Sequence, residues 1–100
     1  MIRIPTNRPP THPGEMLLEE FLKPMKVTQS ELAAKLKIPF QRVNQIIKGK
    51  RSVTPDTAMR LAKVLGTSID LWLNLQLAWD LYEAIHSRKA KEIEQLKKIA

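Results

Sequence analysis

The sequence predicts one all-α domain of five helices, preceded by an extended arm and followed by a charged helical tail. Two observations predict this fold. Apolar residues recur at positions i, i+3 and i+4, which is the spacing of one helix face. Prolines, glycines and hydroxyl side chains stand where each such run begins or ends. We therefore divide the chain into an arm (1–11), a domain (12–86) and a tail (87–100).

The arm is rich in proline and shows no helical spacing. Proline fixes its own φ angle and holds the preceding residue in an extended conformation. Two interpretations stay open. The arm is either a frayed leader, as chain termini usually are, or a segment that becomes ordered on a partner through Ile2, Arg3, Ile4 and Arg8.

The first helix should begin at His12 and Pro13, because proline suits the first helical position. Pro24 should end this helix or bend its last turn. His12, Glu15 and Glu19 could be imagined as metal ligands, but a helix cap and a solvated acidic face explain them better. We predict no metal site there. The face expected to be buried comprises Met16, Leu17, Leu18, Phe21, Leu22 and Met25.

A helix-turn-helix is predicted at residues 28–51. Thr28 and Glu31 have the spacing of a capping box, which begins a helix. Gly49 stands where a residue in the left-handed conformation would close the following helix. Two helices of about eight residues joined by a short turn form this motif, and its second helix can lie in the major groove of DNA.

The outward face of that second helix has side chains that can read bases. With Val43, Ile46 and Ile47 turned inward, the 100° step between residues leaves three amides facing outward. Amides pair with adenine edges, and the nearby Arg42 could reach guanine or phosphate. The outward residues are Phe40, Gln41, Asn44 and Gln45. Phe40 is ambiguous, since it could cover a thymine methyl group or only shield the start of the helix.

The positive charge of the chain is concentrated on this motif. The net charge of +7 favours a polyanion as partner. Residues 28–51 contain six cations and one acid, whereas residues 13–26 contain two cations and three acids. The loop that follows the motif's second helix carries Lys50 and Arg51, and it could hold phosphates, which sets register without reading sequence.

Two further helices and a tail complete the chain. Thr54 and Pro55 begin the fourth helix, which Gly66 ends. The fifth helix begins at Thr67 or Ser68 and has more apolar surface than one stripe requires. Either it is sandwiched within its own core or part of it meets a second chain. We favour a homodimer, with an interface that comprises Trp72, Leu75, Trp79 and Tyr82. The tail is expected to be a frayed helical extension, and a partner-binding helix is the alternative.

Several classes of protein are excluded or disfavoured. The chain has no cysteine, so it has no disulfide framework, thiol nucleophile or thiolate zinc site. No apolar run approaches the roughly 18 residues of a membrane span, and the N-terminus lacks the apolar region of a signal peptide. We expect a cytoplasmic protein. Without a nucleophile–base constellation or a phosphate-binding glycine loop, we expect neither an enzyme nor a cofactor.

Residues 28–51 resemble the Xre (cro/C1-like) helix-turn-helix family, in the arrangement Q-x-x-L-A-x-x-L followed by x-x-V-N-x-I-x-x-G-K-R. The resemblance extends over residues 11–82 to the HigA (VapI) antitoxins, through HPGEMLLEEFLKPMKVTQSELA, GKRSVTPDTAMRLAKVLGTS and DLWLNLQLAWDL. It implies a lambda-repressor-like domain that binds, as a dimer, operator DNA in its own promoter. It also implies a small basic partner toxin, a ribosome-dependent messenger RNA endonuclease. A stand-alone repressor without a toxin is the alternative.

The resemblance also implies roles for particular residues. Gln29 would contact phosphate and brace the second helix of the motif, which is the third helix of the chain. The bases would be faced by Gln41, Asn44 and Gln45, with Phe40 and Arg42 alongside, and the DNA backbone would be held by Lys48, Lys50 and Arg51. The chain departs from the family at Lys37, where the turn commonly has glycine, and at Pro39, where a hydroxyl cap is usual. A left-handed Lys37 would cost about 1 kcal/mol relative to glycine.

Overall fold

The structure, a computed structural model, describes residues 9–100, and within them it contains six helices and no strand. This confirms the all-α fold. Ile2, Arg3, Ile4 and Arg8 of the predicted arm lie outside the described residues. Helix α1 covers residues 13–25, with a π-helical middle at Leu17–Leu22. The other helices are α2 (Gln29–Leu36), α3 (Phe40–Ile47), α4 (Pro55–Leu65), α5 (Ile69–Ile85) and α6 (Arg88–Glu94). The predicted tail is thus helical only in its first half.

The helices begin where the sequence predicts them. The Gly14 N–H donates to the His12 ring nitrogen Nδ1 over 2.9 Å, so that His12 caps α1. At α2 the capping box is complete. The Glu31 N–H donates to Thr28 Oγ1 over 3.0 Å, and the Thr28 N–H donates to the Glu31 carboxylate over 3.1 Å. The hydrogen bonds from Thr28 lower the pKa of Glu31.

Four helix ends use the left-handed conformation, at Lys26, Lys37, Gly49 and Gly66. Gly49 and Gly66 both have φ of +74°, as their positions after α3 and α4 predict. Lys37, in the turn between α2 and α3, has φ of +57°. Lysine therefore adopts the conformation for which the family commonly uses glycine. The turn keeps its geometry, and the strain at Lys37 is offset elsewhere in the packing.

Helix α1 passes through Pro24 because its preceding turn is widened. The Lys23 N–H donates to the Leu18 carbonyl, five residues earlier, as in a π-helix. Proline lacks an N–H and its ring clashes with the carbonyl four residues before it. The widened turn accommodates both the missing N–H and the bulk of the proline ring. The helix ends at Lys26, whose φ is +57°. Met25 is 52% exposed, so its predicted place on the buried face is wrong.

The core lies between α5 and the four preceding helices. Trp72 is at its centre with no exposed surface, and its ring lies 5.5 Å from that of Phe21. Its Nε1–H donates to Thr67 Oγ1 over 2.8 Å. The other large buried side chains are Leu17, Leu22, Leu32, Leu36, Val43, Ile46, Val53 and Leu61. No helix within residues 9–100 has the length and apolar character needed to cross a membrane.

The burial of Trp72 corrects one predicted contact. Trp72 cannot contribute to a dimer interface, because its own protomer covers it completely. For Trp72 the alternative interpretation of the fifth helix is correct, in which the apolar surface is buried within the core of its own chain. Leu75, Trp79 and Tyr82 are only half-buried. Leu77 and Ile85 on the same helix are 46% and 42% exposed. Part of the apolar surface of α5 therefore stays open.

Helix α1 begins directly against the last turn of α3. A Cβ atom at Gly14 would overlap the carbonyl oxygen of Ile46. Only glycine permits two backbones to approach this closely. This contact fixes α3 against the rest of the domain.

We predict that Gly14→Ala destabilises the protein by at least about 2 kcal/mol, because backbone and not a flexible side chain must move to make room. Gly66→Ala is the matched control. A Cβ there meets nothing within 4 Å, and only the positive φ opposes it, for a cost of about 1 kcal/mol. Urea unfolding measures both variants. Equal losses in the two would contradict a close contact at Gly14.

Candidate nucleic-acid interface

Helix α3 presents the face that the sequence predicts. Val43 and Ile46 are buried and Ile47 is half-buried, so the inward set is correctly oriented. On the opposite face, Gln41 is exposed and Phe40 is 47% exposed. Arg42 is half-buried at the edge of this face. A polar, accessible face on an eight-residue helix can enter a major groove.

The first turn of α2 braces α3 through paired amides. Asn44 Nδ2 donates to Gln29 Oε1 over 3.0 Å, and both side chains are half-buried. The brace that the resemblance implies for Gln29 is thus present. Each amide keeps one polar group free, since an amide has both a carbonyl and an NH₂ group. Gln29 and Asn44 therefore occupy defined positions on one surface.

The loop after α3 is folded back onto that helix. The Gly49 N–H donates to the Ile46 carbonyl over 3.0 Å, and the Lys50 N–H donates to the Gln45 carbonyl over 2.8 Å. These two bonds are those of a Schellman motif, with Gly49 in the left-handed position. A side-chain hydrogen bond also links the loop to α3, because Arg51 Nε donates to Gln45 Oε1 over 2.9 Å. The sequence did not predict this pairing of Gln45 with Arg51.

Within residues 9–100, no cation of the motif forms an ion pair with a carboxylate. Lys48, Lys50 and Arg51 are exposed. In the described part of the chain the ion pairs are Glu19 with Lys23 and Asp56 with Arg60, both outside residues 28–51. The positive charge therefore faces solvent around α3. Such a field attracts a polyanion.

Helix α5 supports the loop from behind. The Val53 N–H donates to Gln76 Oε1 over 2.7 Å, and Gln76 Nε2 donates to Asp80 over 3.0 Å. Gln76 is only 6% exposed. The sequence reasoning missed Gln76, although a lone glutamine between leucines in an apolar helix is a signal of a buried hydrogen bond.

His12 is more than a helix cap. Its ring is 8% exposed and meets Trp79 edge-on, with ring centres 4.9 Å apart. It also borders Gly49, since a Cβ there would lie 3.9 Å from the ring. Burial lowers the pKa of His12, and the charges of Asp80 and Glu15 oppose that shift. Within residues 9–100 no three histidine or carboxylate side chains gather where they could hold a metal ion.

Known proteins that are similar to this chain include helix-turn-helix proteins and HigA antitoxins. A helix-turn-helix family matches residues 18–72. Virulence-associated protein I of Dichelobacter nodosus is 41% identical over 85% of this chain and 79% of its own length. An addiction module antidote protein of a HigA family from Coxiella burnetii is 44% identical, with a TM-score of 0.82 over 93% of this chain and all of that one. The Pseudomonas aeruginosa antitoxin HigA, solved with the higBA promoter, is 34% identical, with a TM-score of 0.83 over 91% of this chain and 99% of that one.

The protonation of His12 should make stability depend on pH. Because burial lowers its pKa from 6.5, the unfolded chain binds a proton before the folded one does. The contribution of neutral His12 to the free energy of unfolding is therefore fully present above pH 6.5 and falls as the pH drops below that value. Protonation at Nδ1 would also remove the acceptor that caps α1. Urea unfolding between about pH 7.5 and 5.5 measures how the free energy of unfolding changes. This pH range lies above the one in which carboxylates titrate.

His12→Asn is the test variant, since asparagine also caps helices but does not titrate. The variant should lose less stability than the wild type over the same pH range. Equal pH dependence in the two proteins would contradict the role of His12.

Proposed function

The chain belongs to the Xre-type helix-turn-helix family, in the group of the HigA antitoxins, and from this premise we propose that it is the antitoxin of a type II toxin–antitoxin module. It binds operator DNA, represses its own operon and neutralises a partner toxin. The observation that carries the DNA-binding half is the polar face of α3, where Gln41 is exposed and Asn44 and Gln45 are half-buried. Beside it are Lys48, Lys50 and Arg51, which form no ion pair with a carboxylate in the described part of the chain. The toxin-binding half rests on the similarity to named antitoxins.

The proposed complex places α3 in the major groove. Gln41, which is exposed, contacts base edges, with Phe40 and Arg42 beside it. Asn44, held by Gln29, lies one turn further along the same face. Lys48 and Lys50 hold the phosphates on either side, and the free amide group of Gln29 contacts a phosphate at the start of α2. Phosphate contacts set the register, and base contacts give the specificity.

We further propose that the protein acts in the cytoplasm as a homodimer formed through α5. Leu77 and Ile85 are exposed on this helix, and Leu75, Trp79 and Tyr82 are half-buried. The apolar surface that a single protomer leaves open on α5 would be covered in such a dimer. Two-fold pairing would place two α3 helices about one duplex turn apart, which matches a palindromic operator.

We predict that Gln41→Ala weakens operator binding by about 1–3 kcal/mol and relaxes the preference at one base pair. Lys50→Ala should weaken binding to every sequence alike and reduce the salt slope by about one. Fluorescence anisotropy titrations at several salt concentrations distinguish the two effects. Lys63→Ala, which removes an exposed cation from α4 outside the motif, should behave as the wild type. A uniform loss on Gln41→Ala would contradict the orientation of α3.

The toxin half is tested with the product of the neighbouring reading frame. We expect a small basic protein that arrests growth when expressed alone, and no arrest when this chain is co-expressed. The two proteins should co-purify. If this chain neither binds nor neutralises the neighbouring product while still binding its operator, it is a stand-alone repressor.

A further inference from the structure

We propose that Gln45 and Arg51 form a guanine-reading pair, in which Arg51 contacts the base in the major groove and Gln45 holds the guanidinium in place. The inference rests on the proposed DNA-binding function. It differs from the roles that the family resemblance implies, where Arg51 holds the DNA backbone and Gln45 faces the bases together with Gln41 and Asn44.

The geometry of the pair determines which groups remain free. Arg51 Nε donates to Gln45 Oε1 over 2.9 Å. The direction of this bond is unambiguous, because arginine has no acceptor. The bond uses the inner nitrogen of the guanidinium. In the described part of the chain the two terminal NH₂ groups make no hydrogen bond, and their shared edge presents two donors in one plane.

A donor-only edge selects guanine among the four bases. In the major groove guanine presents two acceptors, N7 and O6, whereas adenine presents one acceptor and one donor, cytosine presents a donor, and thymine presents one acceptor beside a methyl group. The free end of Gln45 is its NH₂ group, which is also a donor. The adenine pairing predicted for Gln45 needs its carbonyl oxygen, and that oxygen is already engaged by Arg51.

The loop around Arg51 is held at two points. On one side the Lys50 N–H donates to the Gln45 carbonyl over 2.8 Å. On the other side the Val53 N–H donates to the buried Gln76 over 2.7 Å. Arg51 itself is exposed, and in the described part of the chain no carboxylate pairs with it. A guanidinium that is held in place before DNA arrives loses less entropy on binding.

A phosphate contact would not require this arrangement. Lys48 and Lys50 lie beside Arg51, and within residues 9–100 neither side chain makes a hydrogen bond. Lysine is sufficient for phosphate, because a phosphate contact depends on charge more than on direction. Arg51 alone among these three cations is directed by a neighbouring side chain.

The test uses the full chain and its operator, with each guanine replaced in turn by 7-deazaguanine. This base pairs normally but lacks the N7 acceptor. The wild type should lose about tenfold to a hundredfold in affinity at one guanine per half-site. Arg51→Lys keeps the charge but lacks the planar pair of donors, so its response at that guanine should be weaker than that of the wild type. Gln45→Ala should weaken the response, because the guanidinium is no longer held.

Lys50→Ala is the comparison for a phosphate contact. It should bind all DNA more weakly and still respond to 7-deazaguanine as the wild type does. Circular dichroism checks that each variant is folded. An identical response of wild type and Arg51→Lys at every guanine would overturn the inference and leave the proposed function intact. If the wild type binds no upstream DNA specifically, the proposed function fails as well.

Discussion

The contact between the backbones of Gly14 and Ile46 is the constraint on which the DNA-reading surface depends. Helix α3 has eight residues and no side-chain cap at its start. A helix this short does not persist alone in water. Its position must come from tertiary contacts, and the closest of these is the approach of α1 to its last turn. A side chain at Gly14 would therefore displace the whole reading face.

Three further contacts hold α3 and the loop after it. Gln29 holds Asn44 from the start of α2. Gly49 closes α3 and turns the chain back, so that Arg51 reaches Gln45. Gln76, buried in α5, fixes the loop at Val53. The groups that would face DNA are thus ordered when the domain folds. Helix α5, the proposed dimer helix, supports the same loop, so the proposed dimer and DNA-binding surfaces share one structural support.

The sequence predicts the features that depend on neighbouring residues. Thr28 and Glu31 are three residues apart, and Gly49 directly follows α3, so their roles are visible without a fold. The inward set of α3 follows from helical periodicity alone. The features that join distant residues are not visible in this way. Gln76 binds a backbone group 23 residues away, and Trp72 is covered by α1 and other parts of the core. An apolar α5 could not reveal which of its tryptophans the core would bury.

The two halves of the proposed function have different support. DNA binding is supported by the amide side chains on α3, by the Arg51 side chain that Gln45 holds, and by cations that form no ion pair in the described part of the chain. Toxin neutralisation follows from similarity to HigA antitoxins. The proposed DNA contact and the proposed dimer contact involve different helices, α3 and α5.

Hydroxyl-radical footprinting of the region upstream of this gene tests the central claim most directly. A dimer that inserts two α3 helices should protect two patches on one face of the duplex, about 10 base pairs apart from centre to centre or a multiple of that spacing. The sequence beneath the two patches should be related by two-fold symmetry. A single protected patch, or uniform protection with no preferred sequence, would contradict the account.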